Sequence, residues 1–163
     1  MFTSAGLLVL ARVLHVVGVV LWIGGVAFVT TVVIPTLRRV PACDERLKLF
    51  ETIEGRFSAQ ARVVTLVTGL AGFYLLQGFG AWGRYQDPSF WWLHLMTLVW
   101  VVFTLVLFVL EPMFLRQWFR TLAERDSDGA FRLLHRFHVL LLTLSLIAIA
   151  GGVAGVRGFL RIG

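Results

Sequence analysis

Cysteine is almost absent: Cys43 is the only one in 163 residues. A single thiol excludes an internal disulfide, a CxxC redox pair, a thiolate zinc site and a c-type haem attachment. Lysine is as scarce, with Lys48 alone, so the basic side chains are nearly all arginine. Charge of either sign is thin, at 15% of residues, where a soluble domain carries roughly 25%. Three methionines, one of them Met1, are too few for a thioether copper path. No low-complexity segment, internal repeat or separate polar domain breaks the chain. What it has instead is apolar length: 58% of residues are hydrophobic. That excludes both an ordinary soluble domain and a disordered chain.

The apolar residues fall into four runs, about 7–37, 60–82, 90–115 and 135–157. Each is long enough to cross roughly 30 Å of hydrocarbon as a helix. None alternates polar and apolar residues, which argues against a barrel. The first run is read as a span and not as a cleaved leader, because no basic residue precedes Arg12 and the run exceeds a signal h-region. Residues 44–58 carry Leu47, Phe50, Ile53 and Phe57 on one face, giving an amphipathic helix. Asp44 is expected to cap it, and it either lies along the membrane surface or extends the second span. Asp126-Ser127-Asp128-Gly129 reads as a turn before the last helix. The expected fold is all-α: one integral-membrane domain over residues 1–163, a four-helix bundle running up-down-up-down.

Charge sets the orientation. Arg38, Arg39, Arg46, Lys48, Arg56 and Arg62 lie between the first two runs or at their edge, and Arg116, Arg120, Arg125, Arg132 and Arg136 between the last two or at their edge. The middle connection has only Arg84, and the tail has Arg157 and Arg161. Positive residues favour the cytoplasm, so the first and third connections are inside and both termini outside. The net charge of +6 therefore reports topology and not nucleic-acid binding. Trp82, Tyr85, Phe90, Trp91 and Trp92 suit the outer headgroup level. The expected location is a bacterial-type inner membrane, with lipid as the immediate partner.

Ionisable residues at bilayer depth default to functional candidates. Here they are Arg12, His15, His94, Glu111, His135 and His138. His15 precedes Arg38 by 23 residues and His94 precedes Arg116 by 22, as the numbering shows. At about 1.5 Å per residue both stand roughly 33–35 Å from the inner basic edge. Two histidines at one level on the first and third helices can supply both axial ligands of a b-type haem. His15, Gly18, Trp22 and Gly25 share a helix face. The glycines leave room for a flat cofactor or for a close helix, and Trp22 offers a ring for porphyrin packing. Arg12, one turn outward, can meet a propionate. His135 and His138, with Glu111, form a lesser candidate for a metal or a second haem. The same Arg/His rim equally suits anionic lipid or the negative head of a substrate or quinone-like ligand.

Leu14-His15 followed by Trp22-Ile23-Gly24-Gly25 resembles the opening helix of the CopD-like copper-resistance membrane proteins. It is also similar to the first helix of HemJ-type protoporphyrinogen oxidases. The latter resemblance implies haem b and gives a first-helix histidine its role, here His15. The expectation is thus a membrane haem b protein with a redox or electron-transfer role. A HemJ-like oxidase, a CopD-like copper protein and an accessory subunit of a larger complex stay open, as do a membrane redox partner and a homo-oligomer.

Overall fold

A computed structural model describes residues 4–156, and every regular element among them is helical. Arg157 and Arg161, and the last residue of the fourth expected span, lie outside the described residues. Four helices carry the chain: α1, Ser4–Leu37; α2, Cys43–Gly78; α3, Pro88–Arg125; and α4, Ser127–Val156. All four are long and apolar enough to cross a membrane.

Residues 44–58 are not a separate helix. They are the first part of the 36-residue α2, which runs unbroken into the apolar stretch. No glycine pair, proline or turn residue interrupts the backbone ladder there, so the amphipathic and apolar portions share one rod. Asp44 is not the cap: Ala42 holds that position, and Asp44 and Glu45 sit in the first turn, where the helix dipole favours negative charge. At the start of α4 the cap is Asp126, whose carboxylate accepts from the Gly129 N–H at 2.8 Å.

Two helices change pitch beside a proline. α1 is π-helical over Val29–Val33, just before Pro35, and α3 over Val106–Leu115, which contains Pro112. A proline ring collides with the carbonyl four residues back in an α-helix, and a wider turn relieves that collision. Within the π ladder of α3, the carbonyl that Pro112 leaves without a donor is that of Leu107. Arg62 of α2 fills the gap, its Nε donating to the Leu107 oxygen at 2.9 Å.

α1 packs along α2 and α3 along α4. The residues at the centre are Trp22, Ile23, Val26, Val99, Phe103 and Leu141. Trp22 meets Phe103 edge-on at 4.9 Å between ring centres, so α1 and α3 touch across the middle. A second cluster, including Ile34, Phe50 and Phe131, fills the arginine-rich end. Arg46 closes that end. It is buried, donates from Nε and Nη2 to the Val40 carbonyl, and pairs through Nη1 with Asp128 at 2.6 Å. The two arginine-rich connections are thereby held together. The aromatic connection lies at the opposite end, where Gly151 and Gly155 of α4 leave room for Trp91 and Trp92.

Candidate functional site

His15 is half-buried and faces α2, not α3. Its Nδ1 lies 2.9 Å from the Thr68 carbonyl oxygen. A carbonyl only accepts, so Nδ1 carries the ring proton and Nε2 keeps its lone pair. Gly72 provides the space for the ring, since a Cβ there would stand 3.1 Å from His15 Cε1. The room at Gly18 and Gly25 is taken by Thr68 and Phe57 of α2, so both glycines serve a close helix contact. Trp22 is buried at 4% exposure against Phe103. Arg12 is exposed, with its guanidinium 5.3 Å from the centre of the Phe79 ring.

His94 is exposed, in the first turn of the regular α-helical part of α3, and faces the aromatic connection. Its Nε2 lies 3.1 Å from the Tyr85 carbonyl and its Nδ1 3.3 Å from that of Phe90. A neutral imidazole has one N–H and satisfies one of these oxygens at a time. His15 thus meets the Thr68 carbonyl of α2, while His94 meets the carbonyls of Tyr85 and Phe90.

The arginine-rich half holds a polar cluster around Glu111. This carboxylate is 5% exposed, accepts from Arg116 Nη2 at 2.6 Å and lies 3.2 Å from Arg62 Nη2. Glu54 approaches the same Arg116 at 4.0 Å and accepts from the Ser58 hydroxyl at 2.7 Å. A buried carboxylate needs such partners, because desolvating an unpaired charge costs several kcal/mol. Sequence reasoning named Glu111, counted Arg62 only as a charge that sets orientation, and did not single out Glu54. The signal was present: Glu54, Ser58 and Arg62 recur at four-residue spacing and so share one helix face.

These side chains border a cavity of about 980 Å³, which runs from Trp22 to the arginine-rich end. Phe57, Phe103, Phe137 and Leu141 line its apolar wall, and Glu54, Glu111 and Arg116 its polar wall. Among the described residues His138 is the one histidine in the lining. Its Nδ1 lies 2.9 Å from the Leu134 carbonyl, so its Nε2 also keeps a lone pair. His135 is not in the lining. Among the described residues no three of His, Cys, Asp and Glu come together as a metal-binding group, so His135, His138 and Glu111 do not assemble the centre their types allowed. Two buried polar atoms lack a hydrogen-bond partner among the described residues: Trp22 Nε1, in the cavity wall, and Thr65 Oγ1.

No family model matches the chain, and no solved structure matches it. It is similar to an uncharacterised protein of Aquifex aeolicus (strain VF5), with 39% identity over 69 residues. The match covers 40% of this chain and 47% of that protein, so it spans about half of the relative's length.

Proposed function

We propose that the chain is a multi-pass protein of a bacterial-type inner membrane, with both termini outside, that carries haem b and serves a redox role. Its helices run up-down-up-down, since the two arginine-rich connections meet through Arg46 and Asp128 and the aromatic connection lies at the far end. The observation that carries the haem reading is the state of His15. With Nδ1–H committed to the Thr68 carbonyl, Nε2 is the ring atom left with a lone pair and held in orientation, which is the atom that would ligate iron. The similarity of the first helix to that of HemJ-type proteins points to the same residue. When bound, haem b supplies a one-electron couple.

The electrostatics favour the outer half over the large cavity. Haem brings two propionates. Arg12 stands one turn outward of His15 and is solvent-facing, free to exchange the Phe79 ring for a carboxylate. The cavity wall carries Glu51, Glu54, Glu111 and Glu124 against Arg116 and Arg120, a poor match for two more negative charges. His94 serves as second ligand only by releasing the carbonyls of Tyr85 and Phe90.

Reduced-minus-oxidised spectra of the chain purified from haem-replete cells test this. His15→Ala is expected to abolish the Soret and α bands, and His94→Ala to abolish or shift them. Bands that survive both substitutions, or no bands in the wild-type chain, overturn the reading.

A further inference from the structure

We propose that the 980 Å³ cavity is a binding site for a prenylated quinone of the membrane pool, with Trp22 and His138 as its hydrogen-bonding residues. This inference does not rest on the haem reading.

The size falls at the upper end of the roughly 300–1,000 Å³ that small-molecule sites occupy. The lining is mainly aromatic and aliphatic, so the occupant has a ring-like apolar body. One end is buried, at Trp22. Nearer the arginine-rich end the lining residues Leu110 and Phe137, both within the apolar runs, are each 40% exposed. A molecule in this space can therefore bury its head beside Trp22 and leave a tail in the bilayer.

The polar groups specify the head. The buried indole N–H of Trp22 has no acceptor among the described residues, and a native interior rarely leaves a donor in that state. The N–H is shielded, with almost no accessible surface, and a small shift of the indole against a bound ligand brings it to an oxygen acceptor there. His138 offers the opposite capacity: its Nδ1–H is committed to Leu134, so Nε2 accepts. The head thus needs an oxygen that accepts and, in one of its states, a hydroxyl that donates. It also has no net charge, because Arg116 is already engaged by Glu111 and approached by Glu54. A quinone and its quinol meet all three conditions, a carbonyl oxygen of the quinone or a hydroxyl oxygen of the quinol accepting from Trp22, and the other hydroxyl of the quinol donating to His138. A fatty acid or phosphate head adds charge beside four carboxylates and meets none of the need for a donor.

Decylubiquinone and decylubiquinol titrated into the full chain in detergent test the site. Both are expected to bind saturably. Trp22→Phe keeps the ring and removes the N–H, and is expected to weaken both forms about tenfold, the effect of one buried hydrogen bond. His138→Leu is expected to weaken the quinol several-fold more than the quinone, a split that a merely structural residue does not produce. An azido-quinone probe on the unaltered chain is expected to label cavity-lining segments of α3 or α4, and needs no variant to fold. Non-saturable uptake, equal affinity in Trp22→Phe, equal loss of both forms in His138→Leu, or label confined to lipid-facing residues overturns the proposal. So does loss of bound haem from His138→Leu, which assigns the cavity to that group instead.

Discussion

His15 depends on a neighbour with no side chain. Gly72 lets the imidazole lie flat against α2 and reach the Thr68 carbonyl. Gly72→Ala puts a methyl 3.1 Å from Cε1 and 3.2 Å from Nδ1, closer than ordinary packing. Overpacking of this kind costs about 1–3 kcal/mol. Haem occupancy, read from the Soret band per protein, is expected to fall several-fold. Gly24→Ala is the control, with nothing within 4 Å of the added methyl, and is expected to leave occupancy unchanged. At this scale the sequence was half legible. The character of His15 as a polar residue in an apolar run was plain, but its partner was not. Which face α1 turns to α2 is decided by interdigitation of side chains 53 residues apart, and no periodicity within one helix encodes that.

At the scale of helices, the junction of α2 and α3 turns on Arg62 and Pro112. Arg62 supplies the donor that proline lacks and also braces Glu111. Arg62→Met is expected to destabilise the bundle by roughly 1–3 kcal/mol, since a buried carbonyl and a buried carboxylate each lose a partner. With Pro112→Ala in place the Leu107 carbonyl regains a backbone donor, and the same Arg62 substitution is expected to cost measurably less. Unfolding of the four variants in a denaturing detergent gives the coupling, and a coupling of zero contradicts the account. Helix existence was readable because apolar runs of this length leave few alternatives in a bilayer. The pitch change in α3 was only partly readable: a proline inside an apolar run forces some departure from a regular helix, but the answer of the chain, a ten-residue widened stretch closed by an arginine from another helix, needs both helices in place.

For the whole molecule, the arginine distribution and the helix packing make one geometric statement. Reporter enzymes active only outside the membrane, fused after Gly83 and after Asp126, are expected to give high and low activity respectively. The opposite pattern inverts the orientation and would place the Glu111 end of the cavity outside. Arg46, buried between the two arginine-rich connections, was read from sequence only as an orienting charge, and its contacts lay beyond that reading. Its charge was counted correctly from sequence. Its three hydrogen-bonding partners lie up to 82 residues away and emerge only from the fold.

The widened turns of α1 and α3 also set how the chain tolerates changes of length. Each extra residue in a helical turn rotates everything beyond it by about 100° around the axis. Deleting one residue between Val106 and Leu110, and so restoring ordinary pitch, leaves hydropathy and span length almost untouched. It nevertheless swings the carboxylate of Glu111 out of the cavity wall and towards lipid. Such a deletion is expected to leave membrane insertion intact and to break the contacts of Glu111 with Arg62 and Arg116, so residue count along the third helix matters to the polar cluster where hydropathy does not.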